Sequence, residues 1–446
     1  MSPSVTSERS GKELTQAGAV LLVSCYELGH QSFSIASAWA QLQEHGYGVA
    51  VCDVSLQPLD ENAVRPARLV AISVPMHTAL RLGVEVAKRV RHLSGAHISM
   101  FGLYAWMNGI KLLDECADSV IGGEFEPGLL ELAGALSGGG SLAELRQVST
   151  RASLAATGAL RPPVLERIAF SVPERRGPFP IARYAKLVGP EPHSTRLAGY
   201  VEASRGCKHR CRHCPVVPVY DGRFFVVQKE VVLADARQQI AAGARHITFG
   251  DPDFLNGVGH ALSVVRSLHQ EFPEVSFDVT VKVEHIIRHR AVWDELRGLG
   301  CVFVVSAVES LSDRVLAVLE KGHTRADVFT ALDILRQAGV ALRPSFVAFT
   351  PWTTLQDYID LVEFIYDQEL VEHVDPIQLS IRLLVPPGSA LLWPKSDSPR
   401  PAGTRPLSGL PTKDAEPPDW LGPFDPEELN YVWRHPDQRM DRLHQE

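Results

Sequence analysis

The stretch YVEASRGCKHRCRHCP, residues 200–215, joins a predicted strand (YVEASRG, 200–206) to three closely spaced cysteines. Cys207, Cys211 and Cys214 have the spacing C-x3-C-x2-C. Three thiolates on one short loop can converge on a single soft metal centre. Lys208, Arg210 and Arg212 interleave with them, and positive charge favours the thiolate. Chance clustering explains the trio poorly, since the chain has only seven cysteines in 446 residues. A zinc site completed by His209 or His213 is an alternative, although structural zinc usually draws on a second ligand pair. A four-iron cluster held by three cysteines keeps one iron without a protein ligand, the open position that catalysis needs.

Downstream of this loop, strands and helices alternate. Further strands are predicted over ARHITFGD (244–251), SFDVTVKVEH (276–285), CVFVVSAVES (301–310), ALRPSFVAFT (341–350) and PIQLSIRLLV (376–385). The helical stretch TRADVFTALDILRQAG has Thr324 as cap, Asp327 three residues on, and Gly339 as stop. Three strands are polar on one face only: Glu202 and Ser204; Asp278, Thr280, Lys282 and Glu284; Gln378, Ser380 and Arg382. Parallel strands covered by helices on both sides should be apolar throughout, so a polar line suggests the interior of a partial (β/α)6 barrel. The cysteine loop then sits at a strand C-terminus, where βα loops build active sites.

Upstream, GAVLLVSCYE (18–27) reads as a doubly buried strand. A helix capped by Ser32 or Ser34 and stopped at Gly46 follows. Further strands are expected at 48–55, 68–75, 97–104 and 118–126. This alternation predicts a doubly wound α/β domain of flavodoxin type over 16–136. Residues 137–198, with SGGGS and VPERRGPFPIARY, read as a linker carrying one helix within 142–160. The barrel is expected over 199–386. A Pro-rich segment with a short helix near PEELNYVW (426–433) completes the chain.

Composition bounds the function. The chain has 44 Lys+Arg against 52 Asp+Glu, a formal net charge of −8. That balance argues against nucleic acid as a partner, because phosphate binding needs a basic surface. No run of about 18 apolar residues is present, so no membrane span is expected. MSPSVTSERSGKELTQ lacks a secretory pattern, and the sparse cysteines form no disulfide scaffold. A cytoplasmic location is expected. Cys25, Cys52, Cys116 and Cys301 lie in or beside apolar elements and read as small buried hydrophobes.

The trio after the first strand of a six-unit βα domain resembles the radical S-adenosylmethionine (SAM) superfamily. The resemblance implies a [4Fe-4S] cluster on Cys207, Cys211 and Cys214, whose open iron chelates SAM and cleaves it reductively. His213 stands where the family often has an aromatic residue packing on the nucleotide. Gly250, Asp251 and Asp253, in TFGDPDFLNG, occupy the place of a Gly-Gly-Glu-like stretch that receives the SAM ammonium; a helix cap or tight turn is the other reading. Glu309, in SAVESLSDRVLAVLEKGHT (306–324), resembles a carboxylate that accepts ribose hydroxyls, or caps the helix starting near Ser312. Lys282 and Glu284 face the cavity or pair with each other. Arg382 holds a carboxylate or a structural ion pair. Pro387-Gly388-Ser389 resembles a turn common after the last strand.

A flavodoxin-like domain before such a barrel resembles the cobalamin-binding group. The resemblance implies corrinoid contacts at Ser73, Gly102, Gly122 and Gly123, and at His77, which is otherwise merely solvated. The first βα loop, SCYELGHQSFS (24–34), lacks the Asp-x-His-x-x-Gly signature that supplies an axial histidine. The stretches SRGCKHRCRHCPVVPVYDGRF, HITFGDPDFLNG and AFTPWTTLQDY also resemble radical SAM proteins named for a CUAEP or CCAEP tail; the sequence ends LHQE without one. The expected activity is SAM-dependent radical chemistry, with cobalamin for methyl transfer to an unactivated carbon of a small molecule or peptide. An electron donor such as flavodoxin or ferredoxin would serve it. The alternatives are transfer of the 3-amino-3-carboxypropyl group, cobalamin-independent radical chemistry, and a non-catalytic metal or corrinoid sensor.

Overall fold

The computed structural model describes residues 13–177, 179–189, 194–393 and 418–446. The chain divides into two compact units, Met1–Ala185 and Lys186–Glu446.

In the first unit, β1 (Val20–Ser24), β2 (Val49–Asp53), β3 (Leu69–Ser73), β4 (His97–Phe101) and β5 (Ser119–Ile121) are parallel, in the order β2-β1-β3-β4-β5. This is the flavodoxin order expected from the alternation. Every residue of β1 and β3 is buried, as continuous apolar runs require. Helix Phe33–Glu44 starts where Ser32 Oγ accepts from the Ile35 amide at 3.2 Å, and Gly46 ends it with φ +83°. Its Ile35 and Leu42 pack into a core with Leu22, Leu69, Phe101 and Leu132.

The stretch read as a linker contributes structure here. Ser149–Thr150 adds β6 antiparallel to β5, and the helix expected over 142–160 is confined to Arg151–Thr157. Gly158, with φ +70°, stops it. Farther on, Tyr184 Oη donates to Asp53 Oδ2 at 2.9 Å, and the Ala185 amide donates to Gly29 O at 2.8 Å. Residues near 184 therefore lie across the C-terminal ends of β1 and β2.

In the second unit, β7 (Lys186–Val188) pairs antiparallel with β8 (Thr195–Val201). A hairpin of β9 (Ser204–Gly206) and β10 (Phe224–Val226) follows, then β11 (His246–Phe249), β12 (Ser276–Thr280), β13 (Cys301–Glu309) and β14 (Ala341–Phe346). The sheet order is β14-β13-β12-β11-β8-β7, with β8 and β11 to β14 parallel: an open half-barrel. Thr324 and Asp327 form the expected capping box on helix Arg325–Gln337.

Four expectations are corrected. The sixth strand shrinks to a single bridge, Phe349 to Arg382, because Pro376–Leu379 forms a 3-10 turn capped by Asp375. The third strand stops at Thr280, and Lys282 caps helix Val283–Arg288, so Lys282 and Glu284 are not strand residues. The first strand breaks after Val201, placing Ser204 in the hairpin. The polar line thus includes loop residues. One of its members inside a strand, Asp278, accepts from Thr248 Oγ1 and contacts His246 Nε2, both at 2.7 Å. PEELNYVW forms no helix; Asp425 Oδ1 accepts from the amides of Glu427 and Glu428 and turns β15 (Leu421–Asp425) into β16 (Asn430–Trp433). Most of the Pro-rich segment, 394–417, lies outside the described residues.

Gly123 has φ +76°, and a Cβ there would stand 2.2 Å from Val164 O. Gly123→Ala is expected to lower stability by about 1–3 kcal/mol, through strain and overpacking. A thermal melt resolving the first unit checks this.

Candidate functional site

The cysteine loop is closed at its base by the β9–β10 hairpin. The Cys207 amide donates to Arg223 O at 3.0 Å, and Gly206 takes φ +75° with no space for a Cβ against that same oxygen. The three loop cations are occupied elsewhere than at the sulfurs. Lys208 Nζ donates to Asn256 O and lies 4.7 Å from the centre of the Phe224 ring. Arg210 Nη2 donates to Asp221 O at 3.2 Å. Arg212 reaches the carbonyls of Ala390, Leu391 and Trp393, at 3.1, 3.4 and 2.7 Å. The expectation that these cations favour the thiolates is corrected to a mechanical one: they fasten the loop. Arg212 grips the turn after Pro387-Gly388-Ser389, so that turn supports the cysteines.

The cation that does face the sulfurs is Lys321. Its ammonium is buried, which works against its charge, yet Glu309 and the neighbouring Cys211 and Cys214 keep it protonated. Sequence reasoning saw Lys321 only in the Lys-Gly that closes a helix; it lies 107 positions after Cys214 and only the fold brings it near. Burial pushes the Cys207 thiol up and the Cys214 thiol to about 12, with the sulfurs raising one another. Such thiols are poor nucleophiles, and a soft metal that deprotonates them removes that cost. All three cysteines are free. The donor set therefore fits a cluster with one open iron.

Glu309 ends β13 with φ +68°. Its Oε1 lies 2.9 Å from His213 Nε2 and 3.3 Å from Lys321 Nζ. Burial works against the carboxylate, but Lys321 and His213 outweigh it and hold Glu309 down at about 2. His213 Nδ1 is buried without a partner.

Gly250, Asp251 and Asp253 follow β11 as expected, with different tasks. A Cβ on Gly250 would stand 1.9 Å from Tyr200 Oη, so packing explains this glycine. Asp251 accepts from the Ala203 amide at 3.0 Å and from Ser204 Oγ at 2.5 Å, bracing the chain just before the cysteine loop. Burial pushes it up to about 6 despite those bonds. Asp253 has Oδ1 on the Leu255 amide, while Oδ2 faces His209 and His285. Lys282 Nζ lies 3.6 Å from Glu284 Oε2, the internal pair. Arg382 meets Asp441 at 2.9 Å and stacks 3.5 Å from the Trp433 ring centre, a structural pair.

In the first unit, Ser73 and Gly102 lie at the adjacent ends of β3 and β4. Ser73 Oγ is 2.9 Å from Ser34 Oγ, and Ser34 donates to the half-buried Glu27. Gly102 has φ +109° and abuts Val74 O. Gly122 and Gly123 are filled by the chain itself, against Trp106 and Val164. His77 packs edge-on to Tyr104, ring centres 6.0 Å apart. Cys25, Cys52, Cys116 and Cys301 are buried as expected. Among the described residues no helix is long and apolar enough to cross a membrane.

Residues 201–365 match the Radical SAM superfamily. The chain is 26% identical over 230 residues to a ribosomal protein uS12 methylthiotransferase RimO of Thermus thermophilus, covering 46% of this chain and 50% of that protein. It spans about half the length of the curated relatives it matches. The structure is similar to the radical SAM methyltransferase TsrM from Kitasatospora setae, solved with cobalamin and a [4Fe-4S] cluster: TM-score 0.64, 16% identity, 79% of this chain and 73% of that one. It is also similar to the cobalamin-dependent SAM radical enzyme OxsB, with TM-score 0.65, 15% identity, 97% of this chain and 66% of that one. The chain thus carries a radical SAM domain.

Proposed function

We propose that this protein is a radical SAM enzyme that uses a cluster on Cys207, Cys211 and Cys214, with cobalamin, to transfer a methyl group to an unactivated carbon. The observation that carries this reading is the loop itself. Cys207, Cys211 and Cys214 are free on one loop that follows β9, while the loop cations bind backbone carbonyls at Asn256, Asp221 and 390–393. When bound, the cluster and SAM supply one-electron cleavage of a C–S bond, and the corrinoid supplies the methyl group.

The chain's own residues position and exclude. Asp251 braces Ala203 and Ser204, and so the base of the loop. Arg212 ties the loop to the turn at 390–393. Lys321 compensates anionic sulfur from one side. Glu309, kept ionised by Lys321 and His213, offers a fixed acceptor for nucleotide hydroxyls, and His213 a ring for the nucleotide to pack on. Fixed groups in a site shielded from water need no reorganisation during reaction.

Cobalamin enters on the fold: the flavodoxin strand order and the likeness covering nearly the whole chain. Ser73 and Gly102, at neighbouring strand ends, are its assigned contacts. Gly122 and Gly123 drop from that set because Trp106 and Val164 occupy the space. The substrate is assigned as a small molecule or peptide, since the acidic balance disfavours nucleic acid, and the reductant as a flavodoxin or ferredoxin in the cytoplasm. Within the superfamily we group the chain with the CUAEP/CCAEP-tail proteins on the three stretches quoted above.

The test is anaerobic reconstitution, metal analysis, and incubation with dithionite and SAM. The expected results are iron and sulfide for one [4Fe-4S] cluster, cobalt on addition of cobalamin, and release of 5′-deoxyadenosine. Methylthioadenosine would establish the carboxypropyl route instead. Zinc in place of iron, with no cleavage, would establish a sensor.

A further inference from the structure

We propose that His209, Asp253 and His285 form a second, mononuclear metal site for a divalent first-row transition ion, beside the cysteine loop. The residues come from three consecutive strand ends. His209 lies on the cysteine loop, Asp253 on the turn after β11, and His285 in the first turn of the helix after β12. Each offers one ligand atom, and the three atoms lie within 4.8 Å of one another.

Two features set this cluster apart from an ordinary buried polar group. First, His209 Nε2, Asp253 Oδ2 and His285 Nδ1 all lack a hydrogen-bond partner. The Asp253 side chain is 0% exposed, that of His285 6% and that of His209 16%. Leaving a buried carboxylate oxygen and two ring nitrogens unsatisfied is costly, and native chains rarely do so without a ligand. His285 Nδ1 stands 2.8 Å and His209 Nε2 3.4 Å from Asp253 Oδ2, so the three atoms face one another as ion pairs with no donor or acceptor from elsewhere.

Second, the spacing and the donor types suit a small ion. Ligands ~2.1 Å from one divalent ion stand ~3.0–3.4 Å apart at octahedral or tetrahedral angles. The two edges meeting at Asp253 Oδ2 are 2.8 Å, to His285, and 3.4 Å, to His209. The longer edge falls in the metal-ligand range, and the shorter would open by about 0.2 Å around a bound ion. Two imidazoles and one carboxylate suit zinc or iron(II), whereas calcium and magnesium prefer oxygen alone. Glu284 Oε2 lies 3.7 Å from His209 Nδ1, placed to orient the ring through its other nitrogen, as outer carboxylates do for metal-bound histidines. Three protein ligands keep further positions open for a substrate heteroatom.

The site stands on its own residues and is independent of the nucleotide reading. The full chain, reconstituted anaerobically, is incubated with Zn2+, desalted, and analysed for zinc, iron and sulfide. One zinc per chain beyond the cluster is expected, with at least a tenfold loss of zinc affinity in His285→Gln and unchanged iron and sulfide. A full-length variant with Cys207, Cys211 and Cys214 all changed to Ala should still bind one Co2+, with a nitrogen/oxygen spectrum free of sulfur-to-cobalt charge transfer. If that variant does not fold, the wild-type and His285→Gln comparison decides. Equal zinc in wild type and His285→Gln, or none in either, overturns the proposal. So does weakened SAM binding by His285→Gln in a protein that never holds the extra ion, since the three residues then serve the nucleotide. Zinc held at this site by a protein that fails to cleave SAM would sink the enzyme reading and support this one.

Discussion

Cys211→Ala is expected to abolish iron and sulfide incorporation and to reduce SAM cleavage by more than about 1,000-fold, the scale seen when a reaction loses an indispensable group. Two thiols cannot replace three on an iron cube, because a second iron would then need a ligand from solvent. The loop should nevertheless keep its shape. Its anchors are Arg212 on the 390–393 carbonyls, Arg210 on Asp221, and the Cys207 amide on Arg223. None of these involves the Cys211 sulfur. Near-native circular dichroism with no iron is therefore the result that supports the reading. Full iron loading and unchanged nucleotide cleavage would refute it.

Lys321→Met should be the most destabilising single change in the apoprotein's second unit, by about 3–5 kcal/mol, the cost of leaving a buried charge without its partner. Lys321 and Glu309 are both buried, and His213 Nε2, 2.9 Å from Glu309 Oε1, is the carboxylate's other partner. Urea unfolding measures the loss. The double variant Glu309→Gln/Lys321→Met should recover much of it, because no charge is then stranded. The same pair predicts an acid limit. Glu309 is held at about 2, below its ordinary value of 4.5, so its contribution is complete above pH ~4.5 and disappears as pH falls toward 2. In Glu309→Gln that part of the acid transition should vanish. An unchanged pH profile would show that the ion pair contributes nothing to folding.

Much of the fold was legible because it rests on local rules. The apolar runs at Val20–Ser24 and Leu69–Ser73 are buried strands, Ser32 and Thr324 cap helices, and Gly46 and Gly339 stop them. Reading failed where a side chain overrides periodicity. Asp425 turns a helix-like PEELNYVW into a hairpin, and Asp375 and Pro376 turn the sixth strand into a 3-10 helix. At the site, the cysteine spacing was sufficient to find the trio. The cations beside it misled, because their direction depends on carbonyls elsewhere in the fold, at Asn256 for Lys208, Asp221 for Arg210 and 390–393 for Arg212. His285 was hidden by an overlong third strand. Ending that strand at Thr280 would have put it on a helix at the same strand ends as Asp253 and His209.

Sequence by itself determined the alternation of strands and helices, the two-unit plan and the grouping of three cysteines on one loop. These follow from hydrophobic periodicity and from cysteines close together on one loop, both set over a few residues. Tertiary structure alone decided that Lys321 faces the sulfurs, that Trp106 and Val164 fill the spaces at Gly122 and Gly123, and that two imidazoles meet one carboxylate at Asp253. Those meetings depend on which strand ends lie side by side. That is fixed by sheet order and close packing rather than by any residue's neighbours along the chain.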